Sequence, residues 1–187
     1  MAKNKNEDIS RLEIVVGYVV DCKQHPDADG LYISKICIEK VDTNKEKDTT
    51  KWPTRTIVSG LAKFVKLEEM KDSKVMVLAN LKTSKLRGVE SEGMVLCASN
   101  ADHTVVEVVR PPQDAPVGSI LQFTSYSYDN VENELMNPKS KTYPKIMAGL
   151  KCNENGEAIY EGVNGINKWT VNGKPCKPKS LKNCPIA

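Results

Sequence analysis

Histidine is nearly missing from this chain: its 187 residues contain only His25 and His103. A serine or cysteine nucleophile needs a base beside it, most often histidine. His25 lies in a proline turn and His103 in an Asp-His loop, and both are expected at the surface. Glu68 and Glu69 are neighbours on a predicted helix, where they point apart, while Asp27 and Asp29 read as turn residues. No glycine loop has either common phosphate-cradling spacing. The chain by itself is expected to be non-catalytic.

Other scarcities narrow the field further. The six cysteines, at 22, 37, 97, 152, 176 and 184, include no C-x-x-C pair, which disfavours a zinc site or a redox motif. Cys22, Cys37 and Cys97 fall in or beside apolar strand-like runs, where a thiol behaves as a small hydrophobe. Aromatic residues make up 5%, few for a protein that stacks the bases of a single strand. No apolar run approaches the roughly 20 residues of a membrane span, and the start MAKNKNEDIS has no hydrophobic signal region. These features predict a soluble, cytoplasmic protein with reduced thiols, and neither metal, cofactor nor membrane contact.

What is present is charge, unevenly placed. Residues 1–136 carry 18 Lys+Arg against 21 Asp+Glu, a balance of −3, whereas 137–187 carry nine lysines against three glutamates, a balance of +6. A basic C-terminal third favours an anionic partner, although a solvated lysine surface would give the same count.

Short β-branched runs dominate the first part. LEIVVGYVVDC (12–22) alternates with Leu12, Ile14, Val16, Tyr18 and Val20 on one face, and breaks at the turn 25–30. LYISKICIE (31–39) reads as a second strand whose apolar phase slips midway, as a β-bulge would cause. The charged segment 40–53 reads as a mobile hairpin loop. A third strand at 55–60 precedes a short helix over 61–71, and strands return at 74–80, 93–99 and 104–110. Several short strands with one helix between the third and fourth predict a mainly all-β chain built on an OB-fold barrel, ended by Pro111-Pro112. Beyond it, a strand at 119–126, a short helix around Lys145–Leu150 and turns at Asn155-Gly156, Asn164-Gly165 and Asn172-Gly173 predict a second, packed β-rich module. The expected division is a flexible leader 1–9, a barrel 10–110 and a C-terminal module 111–187.

The segment NLKTSKLRGVESEGM (80–94) holds three cations, Lys82, Lys85 and Arg87, within six residues, followed by a Ser-x-Gly-Met corner. Its KTSK resembles an ATP-handling loop of class I aminoacyl-tRNA synthetases, but that loop works only beside a nucleotide-binding α/β domain. HPDADGLYI (25–33), RTIVSGL (55–61), NLKTSKLRGVESEGMVLCAS (80–99) and the PP…PVGS…F run (111–123) together resemble the tRNA-binding domain family. Its members include free bacterial tRNA-binding and chaperone-like proteins and extensions of methionyl-, tyrosyl- and phenylalanyl-tRNA synthetases. NPKSK (137–141) and the Cys- and Lys-bearing C-terminus are similar to endothelial-monocyte-activating polypeptide II.

The resemblance implies an OB-fold whose appended module imitates the second subunit of a bacterial homodimer, hence a monomer. It also implies binding to the body of tRNA, with Asn80, Lys82, Lys85, Arg87, Ser91 and Met94 as contact residues, and an aminoacyl-tRNA synthetase catalytic domain as partner. Spaced cations suit successive phosphates, which give affinity and salt dependence without reading sequence. The alternative is that the lysines only solvate a loop and Met94 belongs to the core. Two other roles fit the resemblance: a secreted cytokine-like signalling protein, and a scaffold that joins synthetases. The cytokine members carry a basic heptapeptide where this chain reads VVGYVVD (15–21), which counts against signalling.

Overall fold

Strand β1 (Ile14–His25) is buried on both faces along its first half, and that double burial organises the molecule. The computed structural model describes residues 7–126 and 135–187. Val15 and Val19 belong to one hydrophobic cluster with Ile36, Ile57, Val75, Val77 and Val95. Ile14 and Val16 belong to another, with Met76, Leu78 and Leu96 from the same half of the chain and Leu121, Ile146, Tyr160, Trp169 and Ile186 from the C-terminal part. Period-two alternation assigns successive residues to opposite faces. The apolar face read from the sequence at 12, 14 and 16 is therefore the one covered by the C-terminal part. Gly17 lies where the sheet curls tightly: a Cβ there would come within 2.8 Å of Ile36 Cγ2 and 3.0 Å of Val77 Cγ2.

β1 turns through Pro26 and Asp27 into antiparallel β2 (Ala28–Cys37). The predicted bulge is present, but its extra residue is Val20 on β1, because Val19 pairs with Ile36 and Asp21 already pairs with Lys35. β3 (Arg55–Ser59), helix α1 (Leu67–Met70) and β4 (Lys74–Leu78) follow. The helix is a single turn, shorter than the expected 61–71. Next come β5 (Ser84–Leu86), β6 (Val89–Ser91), β7 (Met94–Val95), β8 (Cys97–Ser99) and β9 (Val106–Val108).

The main sheet has the order β3-β2-β1-β4-β7, so the expected barrel is not closed by a strand ladder. Side chains and single backbone bonds span the gap between β3 and β7. The Ser91 hydroxyl accepts a hydrogen bond from Val58 N–H at 2.9 Å, and Glu92 exchanges bonds with Thr56: its N–H donates to Thr56 O at 2.8 Å and its carboxylate accepts from Thr56 N–H at 2.9 Å. The polar corner between β6 and β7 sits where continuous pairing would be needed. Segment 40–53 has bonds of its own: Trp52 Nε1 donates to Glu46 O, and the Trp52 ring packs edge-on against Tyr18 at 5.3 Å.

In the C-terminal part, α2 (Thr142–Met147) starts earlier than the sequence suggested. β10 (Leu150–Cys152), β11 (Ala158–Gly162) and β12 (Gly165–Lys168) form a three-stranded meander, and β13 (Thr170–Val171) pairs with β14 (Lys174–Pro175). Asn155-Gly156 and Asn172-Gly173 fall between strands as read, with Asn172 and Gly173 both at positive φ in a two-residue hairpin, while the β11–β12 turn is Val163-Asn164 and Gly165 opens β12. Of the predicted strand 119–126, only its first residues pair, alongside β1: Val16 N–H donates to Ser119 O and Leu121 N–H to Ile14 O, each at 2.9 Å. The tail pairs with β8 through reciprocal bonds between Cys97 and Ala187.

Residues 1–6 of the expected leader lie outside the described residues, but its end is packed: Ile9 is buried and Glu7 pairs with Lys145. All six cysteines are free thiols and buried, and burial pushes Cys97, Cys152 and Cys176 each up to about 12. No helix among the described residues is long and apolar enough to cross a membrane.

Candidate nucleic-acid interface

The cation-rich segment folds as a hairpin. β5 and β6 pair antiparallel with Leu86 opposite Val89, leaving Arg87 and Gly88 as a two-residue turn at φ 50° and 84°. Positive φ at both central residues is the twist-matched hairpin turn, natural for glycine and unfavourable for arginine. The turn is clasped from outside. His25 Nε2 lies 3.0 Å from Arg87 O, and the Arg87 guanidinium reaches Asp27 O at 3.4 Å. Because Asp27 N–H donates to His25 Nδ1 at 3.0 Å, that nitrogen must be the acceptor and Nε2 carries the proton toward Arg87 O. His25 is therefore buried, not at the surface as expected. Its partners come from two separate turns, so sequence position alone gave no sign of the bond. His103 is exposed, as expected.

The six predicted residues divide by environment. Lys82, Lys85 and Arg87 are exposed. Asn80 works within the fold: its side-chain oxygen accepts from Glu13 N–H and its amide donates to Arg11 O, both at 2.8 Å. Ser91 is buried, accepting from Val58 N–H and donating to Gly93 O at 3.1 Å. Met94 is half-buried and packs against the core, while also lining a surface cavity.

The three cations are not equivalent. Ser84 and Leu86 line the cavity, so alternation along β5 puts Lys85 on the other face of the hairpin. There it stands directly opposite Glu90 in the strand register. Lys82 precedes β5, and its N–H donates to Met136 O at 3.0 Å, while Met136 N–H donates to Asn80 O at 2.6 Å. The C-terminal part thus docks on the root of the hairpin.

That docking brings a second basic segment to the site. Lys139 and Lys141 are exposed just beyond Met136, where Asn137 Oδ1 accepts from Lys139 N–H and the Ser140 hydroxyl from Tyr143 N–H. Among the described residues, four of the nine lysines in 137–187 are held in ion pairs: Lys145 with Glu7, Lys151 with Glu161, Lys168 with Glu157 and Lys174 with Asp114. Lys139 and Lys141 make no ion pair among the described residues. Local sequence reading marked 137–141 only through its resemblance, since its pairing with Asn80–Lys82 is a tertiary contact.

Residues 14–120 match the family described as "Putative tRNA binding domain". The chain is 41% identical to a probable methionine–tRNA ligase of Oryza sativa subsp. japonica, over 99% of its own length and 22% of that protein's. It is 35% identical to the tRNA-aminoacylation cofactor arc1 of Schizosaccharomyces pombe, covering 93% of this chain and 37% of the other. The mouse aminoacyl tRNA synthase complex-interacting multifunctional protein 1 is likewise 35% identical, with 98% and 53% covered. The chain therefore spans between about a fifth and about half the length of these relatives. Among solved structures, the C-terminal domain of Plasmodium vivax p43 superposes with a TM-score of 0.78 at 32% identity, over 97% of this chain and 100% of that one. With more than half its residues matched, the open five-stranded sheet and its cationic hairpin belong to the tRNA-binding domain family.

Proposed function

We propose that the chain grips the phosphate backbone of folded tRNA with Lys82 and Arg87 of the hairpin and Lys139 and Lys141 beside it. Lys85 acts more weakly, screened by Glu90. Asn80 and Ser91 hold the hairpin in place, and Met94 supplies an apolar contact. The observation that supports this reading is the docking of the Met136 segment on Asn80 and Lys82, which brings two exposed cationic stretches of the chain together. Phosphate contacts position an RNA without reading its sequence, and folded RNA is recognised largely by shape, so the grip is structure-specific and indifferent to anticodon.

The grip serves an aminoacyl-tRNA synthetase in the cytoplasm, in the same chain or another. Tethering a tRNA-binding module to a catalytic domain makes the second encounter intramolecular. The chain is a monomer, because residues 111–187 cover the outer face of β1 and β4 as a partner subunit would.

Salt titration of binding to total tRNA tests the reading. Replacing Lys82, Lys85 and Arg87 by alanine should weaken every tRNA species by similar factors. It should also lower the slope of log affinity against log salt by about 0.7–0.9 for each phosphate no longer held. An unchanged slope would remove the hairpin from the interface.

A further inference from the structure

Beside the hairpin, the cavity lined by Met94 has a volume of about 420 Å³. Both parts of the chain build it. Leu86 and Met94 come from the hairpin and β7, Ser59 from the end of β3, His103 from the β8–β9 turn and Tyr143 from α2. The sequence holds no aromatic residue between Asn80 and Met94, but folding brings Tyr143 to that segment.

Three features describe what would fit. An apolar cavity of about 150 Å³ is enough to hold a benzene ring, so this one has room for a purine and part of its ribose. Its walls pair apolar surfaces (Leu86, Met94, the Tyr143 ring) with hydroxyls and an imidazole. The chain that enters must also tolerate nearby exposed cations, since Lys82 follows the lining residue Leu81 and Lys139 follows the lining residue Pro138. Unpaired bases stacked on aromatic rings and hydrogen-bonded at their edges are how proteins read RNA beyond its shape.

We infer that this cavity takes one unpaired RNA nucleotide, its base against Tyr143, Leu86 and Met94. The inference rests on the proposed phosphate grip and adds a preference for RNA with a single-stranded nucleotide next to a helix. The neighbouring lysines hold the flanking phosphates while the base turns inward.

The test compares two RNA duplexes of one sequence, blunt-ended or with a four-nucleotide 3′ overhang, at one salt concentration. Stacking of a base on an aromatic side chain predicts about five- to 150-fold tighter binding of the overhang. Tyr143→Phe should keep that preference, and Tyr143→Ala should lose most of it with the salt slope unchanged. Leu86 is 39% exposed, so Leu86→Ala tests the same cavity without endangering the fold, and should also reduce the preference. Equal binding of both duplexes, or a preference that survives both Leu86→Ala and Tyr143→Ala, overturns the nucleotide subsite and leaves the phosphate grip standing. Failure of both duplexes and of tRNA to bind at low salt overturns the grip, and the subsite with it.

Discussion

His25 Nε2 stands 3.0 Å from the carbonyl oxygen of Arg87, tying the β1–β2 turn to the tip of the cationic hairpin. The bond holds Arg87 at φ 50°, a backbone conformation that an arginine occupies at a cost. His25→Ala should release the tip and leave Asp27 N–H without its ring acceptor. Losing a buried hydrogen-bonding group costs about 1–3 kcal/mol. Chemical denaturation should register that loss, and amide exchange should quicken at 84–91. Binding to tRNA should weaken with no change in ranking among tRNA species. Native exchange rates at the hairpin in the variant would argue that the clasp is not what holds it.

Lys85 faces Glu90 across the hairpin. Opposite charges directly across a pair of strands attract by roughly 0.2–1 kcal/mol, and the carboxylate also repels an approaching phosphate. Glu90→Gln should therefore tighten tRNA binding by a few-fold at low salt, with the gain shrinking as salt screens the charge. Lys85→Ala should cost less affinity than Lys82→Ala. Weaker binding by the Glu90→Gln protein would mean that Glu90 orients Lys85 for the RNA.

The Glu107 carboxylate anchors the chain near its C-terminus, accepting from Ser180 N–H at 2.9 Å, the Ser180 hydroxyl at 2.7 Å and Leu181 N–H at 2.7 Å. Burial pushes its carboxyl upward, but the Ser180 hydroxyl, the two N–H groups and the Lys179 charge outweigh it, so it titrates below its ordinary value. A carboxyl depressed in the folded state stabilises above its unfolded value and loses that contribution as pH falls through the folded one. Glu107→Gln should cost about 1 kcal/mol near neutrality, given its partial exposure. The deficit should vanish below the usual carboxylate range. Melting curves from neutral pH to about pH 3 would check this, and a deficit that persists in acid would assign the loss to packing.

Ile14, Val16, Met76, Leu78 and Leu96 are covered by side chains from beyond residue 110. A chain ending at Arg110 should expose them as one apolar patch and self-associate, whereas the intact chain should sediment as a monomer. Sedimentation velocity across a range of concentrations separates the two. A truncated chain that stays folded by circular dichroism and monomeric throughout would show that the patch closes by itself.

The strands β1 to β4, the asparagine-glycine hairpins of the C-terminal part and the cation-rich character of 80–94 were legible in the sequence alone. Each depends on local rules: period-two alternation, turn residues that accept positive φ, and a run of like charge. Tertiary structure decided the rest. Burial on both faces of β1 requires the cover supplied by Leu121, Trp169 and Ile186. The edges of β3 and β7 are bridged by Ser91 and Glu92, because hydrogen bonds accepted by those side chains stand where the ladder would have closed. His25 became a buried clasp because its partner, the Arg87 carbonyl, lies in another turn. Tyr143 reached the cavity of Met94 only because the segment around Met136 pairs with Asn80 and Lys82. Alternation and turn chemistry act over a few residues, while burial and hydrogen-bond satisfaction are settled by whichever distant segments meet.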